Sequence, residues 1–505
     1  MAVEGLVVGV DIGTSSTKGV LSDLHGRILC TVVEDHTVDR PTPRQVEMDG
    51  NIWWKEFSRI ANQLVSVAEA PILAVGVSGM GPCVLLTDDS GVPTRPAILY
   101  GVDTRAIEQI DRMTRELGSE QILERCGSAL SSQAVGPKLA WVAENEPAVW
   151  ARSRRLFMPA SWLAWQLTGV YALDHHSASQ CTPLYDTAAR EWFEPWAGDI
   201  VGGLSLPQLK WPGDNAGTVS ATAAAATGLP EGIPVIMGTI DAWSEAVSVG
   251  AQNPGDLMLM YGTTMFLIST ASHRVRHPNL WGTVGAYRDT WNMAGGMATS
   301  GAITNWLRDL FGGEEFATLV AEAESSPAGS RGLLMLPYFA GERTPIADPD
   351  ARGIIAGLTV EHRRGDLYRA ALEATAFGIR HNIEQLRDAG AVIDRIVAVG
   401  GGTKSSLWPQ IVSDVTGLVQ HVPQVTIGAS FGAAYLAAGL VSSPEISAWN
   451  PIVAEVTPNP NVAAIYDQLY ADYLALYPQT TDIVHRLAAL QVRSARAGPI
   501  SSVEP

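Results

Sequence analysis

The stretch Asp11-Ile-Gly-Thr-Ser-Ser-Thr-Lys18 gathers a carboxylate, a glycine, several hydroxyls and an amine into one short run. A glycine in a tight turn lets backbone N–H groups approach phosphate oxygens, and neighbouring threonine hydroxyls add donors. Asp11 beside such a turn suits a water-bridged Mg2+, an ion that keeps most of its hydration shell. Lys18 is placed to neutralise a phosphoryl group in transfer. A related turn recurs as Tyr261-Gly262-Thr263-Thr264, and a third glycine-rich turn, Val-Gly-Gly-Gly-Thr-Lys-Ser-Ser, spans 399–406. The glycines of the third permit a flat ring to approach backbone closely. One glycine–threonine turn alone reads as a polar hairpin whose threonines satisfy their own backbone; two copies favour phosphate.

Two further carboxylates draw attention. Asp241, in Met-Gly-Thr-Ile-Asp-Ala-Trp, follows an apolar run. By itself it reads as a helix N-cap, while an apolar setting would lift its pKa toward that of a general base. Asp103-x-Arg105 sets an acid and a base two residues apart. That pair suits either the hydroxyls of a polyol or a plain ion pair ahead of a helix.

Other chemistries are disfavoured. No GxxxxGK[ST] occurs, nor a strand-linked GxGxxG with a downstream acid. The four cysteines, Cys30, Cys83, Cys126 and Cys181, lack CxxC spacing and read as small buried hydrophobes of a reducing compartment. His175-His176 have no further ligands at metal spacing. The 505 residues carry a formal net charge of −18, which repels a nucleic-acid backbone. No uncharged apolar run reaches spanning length, so no membrane partner is expected and the chain reads as cytoplasmic.

These residues need elements to position them. Apolar runs at 6–14, 17–22 and 28–34, separated by turn residues, predict a three-stranded antiparallel meander. Helical spacing follows at 52–69, 105–117, 138–144 and 162–167, with a strand at 72–78. The strand–turn–strand opening returns at 256–270, followed by helices at 299–311 and 366–389, a strand at 396–400 and a buried alanine-rich helix at 432–438. Two copies of one α/β plan are therefore expected, as a first domain over 1–250 and a second over 251–490, with a loosely ordered tail over 491–505.

In this order the residues resemble the FGGY carbohydrate kinases over nearly the whole length. The strongest segment is Gly353–Glu373, GIIAGLTVEHRRGDLYRAALE, supported by DIGTSSTK, RQVEMDGNIWW, SWLAWQLTG, LPYFAGERTPIADPDARG and GGMATSGAITNWLRD. The resemblance implies two ribonuclease-H-like domains of the actin, hexokinase and heat-shock chaperone ATPase fold, with a cleft between them. It implies transfer of phosphate from ATP, with Mg2+, to a pentulose or related polyol, D-xylulose being the leading acceptor. Another polyol (ribitol, L-ribulose, erythritol or gluconate) and a non-catalytic ATP-binding module of the same fold are the alternatives. A homodimer is a further family-based expectation.

The resemblance also distributes roles. Asp241 would be the base. Thr14, Lys18, Gly262 and Thr263 would contact phosphates; Gly401, Gly402 and Ser405 would line the adenine pocket; Asp11 would organise Mg2+. Asp103 and Arg105 would bind sugar. The segment around Lys138, SSQAVGPKLAWVAEN, matches in part, with Gln133 and Val135 departing from the usual residue types. D-Xylulose kinases typically carry Gln-Met-His-Gly after the 72–78 strand. Here Met80, Gly81, Pro82 and Cys83 follow. Pro82 has no side-chain donor in place of the histidine, and Met80 and Gly81 would make a more apolar, roomier wall.

Overall fold

The computed structural model describes residues 5–497. The chain folds into two compact units. The first comprises residues up to Asp256 together with Thr270–Met293 and Pro423–Ile452; the second comprises Leu257–Ser269, Ala294–Val422 and the chain from Val453. The units thus interleave in sequence.

The first unit is organised by a mixed sheet. Its leading hairpin joins β1 (Leu6–Ile12) to β2 (Ser16–Asp23), and β3 (Ile28–Asp35) completes the antiparallel meander. Strand β4 (Ile72–Gly79) lies parallel to β1 on its other side. Beyond it come β5 (Asn215–Thr218) and β6 (Pro234–Ile236), in the order β5-β6-β4-β1-β2-β3, and β7 (Thr239–Ile240) pairs with the end of β4.

Successive side chains of a strand point to opposite faces, and β1 shows what this does. Leu6, Val8, Val10 and Ile12 join one core with Trp53, Phe57, Ile60 and Leu64 of helix Gly50–Ser66. Val7 joins a second core with Phe431, Ala434 and Ala437 of helix Ala429–Ala438 and with Val247 of helix Asp241–Ser248. The 429–438 helix comes close because Gly9 and Gly76 lack side chains: a Cβ at Gly9 would lie 2.1 Å from the Ser430 carbonyl, and one at Gly76 2.0 Å from that of Ala433. Every residue of this helix is buried, as its alanine-rich composition predicts.

In the second unit the hairpin of Asp256–Tyr261 and Met265–Ala271 pairs Leu257 with Ser269 through to Tyr261 with Met265. The sheet continues from it through Arg395–Gly400 to Gln420–Pro423. Helices Gly301–Leu310 and Arg364–Asp388 lie within a few residues of their expected bounds. Helix Ala463–Ala497 runs into the expected tail as far as residue 497, and the remainder of that tail lies outside the described residues. Cys83, Cys126 and Cys181 are buried and Cys30 is half-buried; all four are free thiols. Among the described residues no helix is long and apolar enough to cross a membrane.

Candidate active site

Strand parity puts the chemistry of the first unit on one face. Asp11 follows Val7 and Gly9 on the face covered by helices Asp241–Ser248 and Ala429–Ala438. Its register partners are Lys18 on β2 and Ser78 on β4. The Ser78 hydroxyl donates to Asp11 Oδ1 at 2.8 Å. Ser78 is also opposite Thr239, so β7 delivers Asp241, two residues later, to the first turn of its helix near Asp11. Lys18 Nζ donates to the Ile427 carbonyl at 3.1 Å, in the loop entering helix Ala429–Ala438. Glu245, one helical turn after Asp241, meets the same loop, where a Cβ at Gly428 would lie 2.9 Å from its Oε2.

Three carboxyls therefore converge with one ammonium group, and their acidities reflect it. Desolvation is the first cause for each, even though Asp11, Asp241 and Glu245 keep partial access to solvent. Asp241 is pushed up to about 7, further raised by the charges of Asp11 and Glu245 and opposed by the Ala242 N–H, which donates to Oδ1 at 2.7 Å. Glu245 is pushed up to about 7, with Asp11 raising and Lys18 lowering it. Asp11 rises to about 6 against the Ser78 hydroxyl and Lys18. A carboxylate whose pKa lies near neutrality is matched to taking a proton from an alcohol at neutral pH.

The turn between β1 and β2 is closed by Gly13 N–H donating to the Ser16 carbonyl at 2.9 Å, and a Cβ on Gly13 would crowd that oxygen at 2.9 Å. The Thr14 hydroxyl lies 2.9 Å from the Tyr100 hydroxyl. Tyr100 belongs to a braced segment: Lys138, fully buried, donates from Nζ to the Leu99 carbonyl at 2.7 Å and the Tyr100 carbonyl at 2.9 Å. Burial lowers the Lys138 pKa to about 8. Gln133 Oε1 accepts from Gly101 N–H at 2.9 Å and Val135 is buried, so both departures from the family pattern serve packing of this segment.

The residues expected on the sugar side lie largely in the interior of the first unit. Asp103 and Arg105 pair with each other. Both are buried, with Arg105 Nε donating to Asp103 Oδ1 at 2.9 Å and Nη2 to Oδ2 at 2.7 Å. Asp103 Oδ2 also accepts from Val46 N–H at 2.7 Å, and Arg105 Nη1 reaches Glu47 Oε1 at 2.7 Å. These bonds engage both carboxylate oxygens of Asp103 and leave Arg105 Nη1 in an ion pair without a hydrogen bond. Met80 is 1% exposed and belongs to the core of the first unit. Gly81 stays half-buried beside Ile240, immediately before Asp241, and Pro82 and Cys83 are buried.

In the second unit the turn at Gly262 and Thr263 is bound to the start of helix Gly301–Leu310. Gly301 N–H donates to the Gly262 carbonyl, and the Ser300 and Ala302 N–H groups donate to that of Thr263, all at 3.0 Å. The third glycine turn packs on the residue before this one: Cβ atoms at Gly400 and Gly402 would lie 2.5 Å and 2.8 Å from Tyr261 atoms. Gly401 is exposed with nothing within 4 Å of such an atom, leaving flat backbone open to a ring. The Ser405 hydroxyl accepts from Leu407 N–H at 3.3 Å.

Residues 6–248 match the family model for the N-terminal domain of the FGGY family of carbohydrate kinases, and residues 257–440 match that for its C-terminal domain. The chain belongs to the FGGY family of carbohydrate kinases. It is accordingly a phosphotransferase with an alcohol acceptor, built on that family's two-domain actin-like fold. The chain is similar to a xylulose kinase of Staphylococcus epidermidis, 29% identical over 97% of this chain and 99% of the relative. It is also similar to a glycerol kinase of Alkalilimnicola ehrlichii, 30% identical over 86% and 90% of the two chains. The crystal structure of xylulose kinase from Rhodospirillum rubrum superposes with a TM-score of 0.89 at 32% identity, covering 95% of this chain and all of that one.

For this FGGY kinase, Glu245 is the site residue that the sequence reading passed over. Its signal was available, four residues after Asp241 and hence on the same helical face. It carries a prediction with a definite sign. Its folded pKa, near 7, exceeds the ordinary value of 4.5. The folded state thus holds that proton more tightly, and the associated stability, complete below pH 4.5, is lost as pH rises to about 7. Glu245→Gln removes the loss. Urea unfolding should show the variant about 1–3 kcal/mol more stable than the parent at pH 8 and indistinguishable from it near pH 4. Equal stabilities at pH 8 would mean Glu245 is not desolvated.

Proposed function

We propose that this FGGY kinase transfers the γ-phosphoryl group of ATP to a hydroxyl of a pentulose, with D-xylulose as the leading acceptor. The observation that carries the reading is the gathering of Asp241, Asp11 and Lys18 on one face of the β1–β2 hairpin, beside the glycine–threonine turn at Gly13 and Thr14. The likeness to relatives and a solved structure named as xylulose kinases supports the acceptor.

In this reading Asp241 accepts the proton of the attacking hydroxyl as the oxygen bonds to phosphorus. Lys18 offsets charge on the transferring group, and the turn N–H groups with Thr14 orient the phosphates. In the second unit, Gly262 and Thr263 hold phosphate oxygens, and Gly401, Gly402 and Ser405 form the floor for adenine. Three carboxyls against one ammonium leave an anionic surplus that fits a divalent cation. Asp11 would hold that cation through water, as suits an ion that keeps most of its hydration shell. Mg2+ bound there with the triphosphate supplies charge neutralisation at the phosphoryl group.

Pro82 favours a second reading. It stands where the histidine of D-xylulose kinases would reach the sugar, so an acceptor with fewer or differently placed hydroxyls, including glycerol, competes. Acceptor-dependent ADP release, measured across D-xylulose, L-ribulose, ribitol, erythritol, gluconate and glycerol, decides. The highest kcat/KM is expected with D-xylulose. A higher value with another polyol transfers the assignment to it, and steady ATP hydrolysis indifferent to every acceptor contradicts the kinase reading of the site.

A further inference from the structure

The turn that carries Thr14 is held from behind by one residue, His36. Its Nε2 lies 3.1 Å from the Gly13 carbonyl oxygen, and its backbone N–H donates to the Ser15 carbonyl at 2.9 Å. A carbonyl oxygen only accepts, so Nε2 carries a proton. The other ring nitrogen, Nδ1, lies 2.9 Å from Glu56 Oε2, which also accepts from the Thr17 hydroxyl at 2.5 Å. Both side chains of the His36–Glu56 pair are 5% exposed. Glu56 rises from helix Gly50–Ser66, which covers the face of β1 and β2 opposite Asp11 and Lys18.

A trans peptide unit is planar, with C=O and N–H pointing in opposite directions. Fixing the Gly13 carbonyl on the His36 ring therefore aims the N–H of Thr14 the other way, off the rear face. The second hairpin shows the same construction with different parts. There the carbonyls of Gly262 and Thr263 are taken by the N–H groups of Ser300, Gly301 and Ala302, which aims the N–H groups of Thr263 and Thr264 outward. In that unit a helix start holds the turn; in the first unit the buried His36–Glu56 pair does so.

We propose that His36, oriented by Glu56, is a positioning residue for nucleotide phosphate: it presets the Gly13–Thr14 peptide so that its N–H is already aimed at the phosphate when ATP arrives. This rests on the reading of the β1–β2 turn as a phosphate site. Its signature is a change in the ATP parameters rather than the sugar's, because the carbonyl held by the His36 ring belongs to the turn read as the phosphate site.

The test compares H36L/E56L, which removes both buried polar partners together, with H36Q, whose amide still donates to Gly13. H36L/E56L is expected to raise KM for ATP about tenfold, the loss of one hydrogen bond to a charged group, with the sugar KM within about twofold of the parent. H36Q is expected to restore most of the ATP value. If the double variant fails to fold, E56Q alone is expected to raise the ATP KM about threefold, through poorer orientation of the ring. A folded H36L/E56L protein with the parental ATP KM, an E56Q protein with no change, or an equal rise in both substrates' KM overturns the proposal. K18A separates the two claims. If it weakens ATP while the His36 variants do not, the clamp is wrong and the phosphate site stands; if neither set affects ATP, both are wrong.

Discussion

Asp241→Asn is expected to lower kcat by about three orders of magnitude, within the range of ~10²–10⁴ that a positioned base contributes. The amide keeps the size and the bond from Ala242 N–H but has no affinity for the hydroxyl proton. Because the carboxylate adds little to ground-state binding of the nucleotide, the ATP KM should stay within a few-fold of the parent. The variant should also be the more stable protein at neutral pH, because Asp241 stands at about 7 in the fold against an ordinary 3.8. A slower but more stable enzyme is the mark of a carboxylate kept in an unfavourable place for chemistry. Turnover within a few-fold of the parent in steady-state assays would reject Asp241 as the base.

The second large effect concerns stability. Arg105→Ala should destabilise the protein by about 3–5 kcal/mol, since it leaves the fully buried Asp103 without its cation, while Glu47 keeps Arg95. Arg105→Lys should recover only part, as an ammonium group cannot reproduce the paired Nε and Nη2 bonds to one carboxylate. Chemical unfolding measures both. A sugar clamp predicts the opposite pattern: unchanged stability and a raised sugar KM. That outcome would reinstate Asp103 and Arg105 as substrate ligands.

Much of the fold is legible in sequence because local rules agree with the tertiary outcome. The β1–β2–β3 meander follows from alternation and turn residues, and the helix over Gly50–Ser66 from the spacing of Trp53, Phe57, Ile60 and Leu64. The unit to which helix Ala429–Ala438 belongs is not legible. Its composition predicts burial, but its location depends on Gly9 and Gly76, more than 350 residues away, admitting its backbone. The same limit explains the sugar side. Asp103-x-Arg105 has the spacing of a clamp, and only Val46 and Glu47, brought in by folding, reveal the bonds already made. Met80 similarly follows a strand end, where exposure is expected, but the Met80 N–H donates to the Ile12 carbonyl and the side chain turns into the core.

Strand parity and register bring Asp241 and Asp11 to one face of the sheet. Glu245 is signalled by its helical spacing from Asp241, whereas His36 needed the third dimension. Glu245 gains meaning from the loop at Gly428, and His36 from a helix on the reverse side of the sheet.

The pH dependence of kcat/KM for the acceptor tests most directly whether the carboxyl of Asp241 takes the hydroxyl proton. The acidic limb should fall with a midpoint near 7, the value to which burial and its neighbours lift that group. In Glu245→Gln the midpoint should move to lower pH, because one of the charges raising it is gone. A profile flat between pH 5 and 8, or a limb that Glu245→Gln leaves in place, would contradict the assignment.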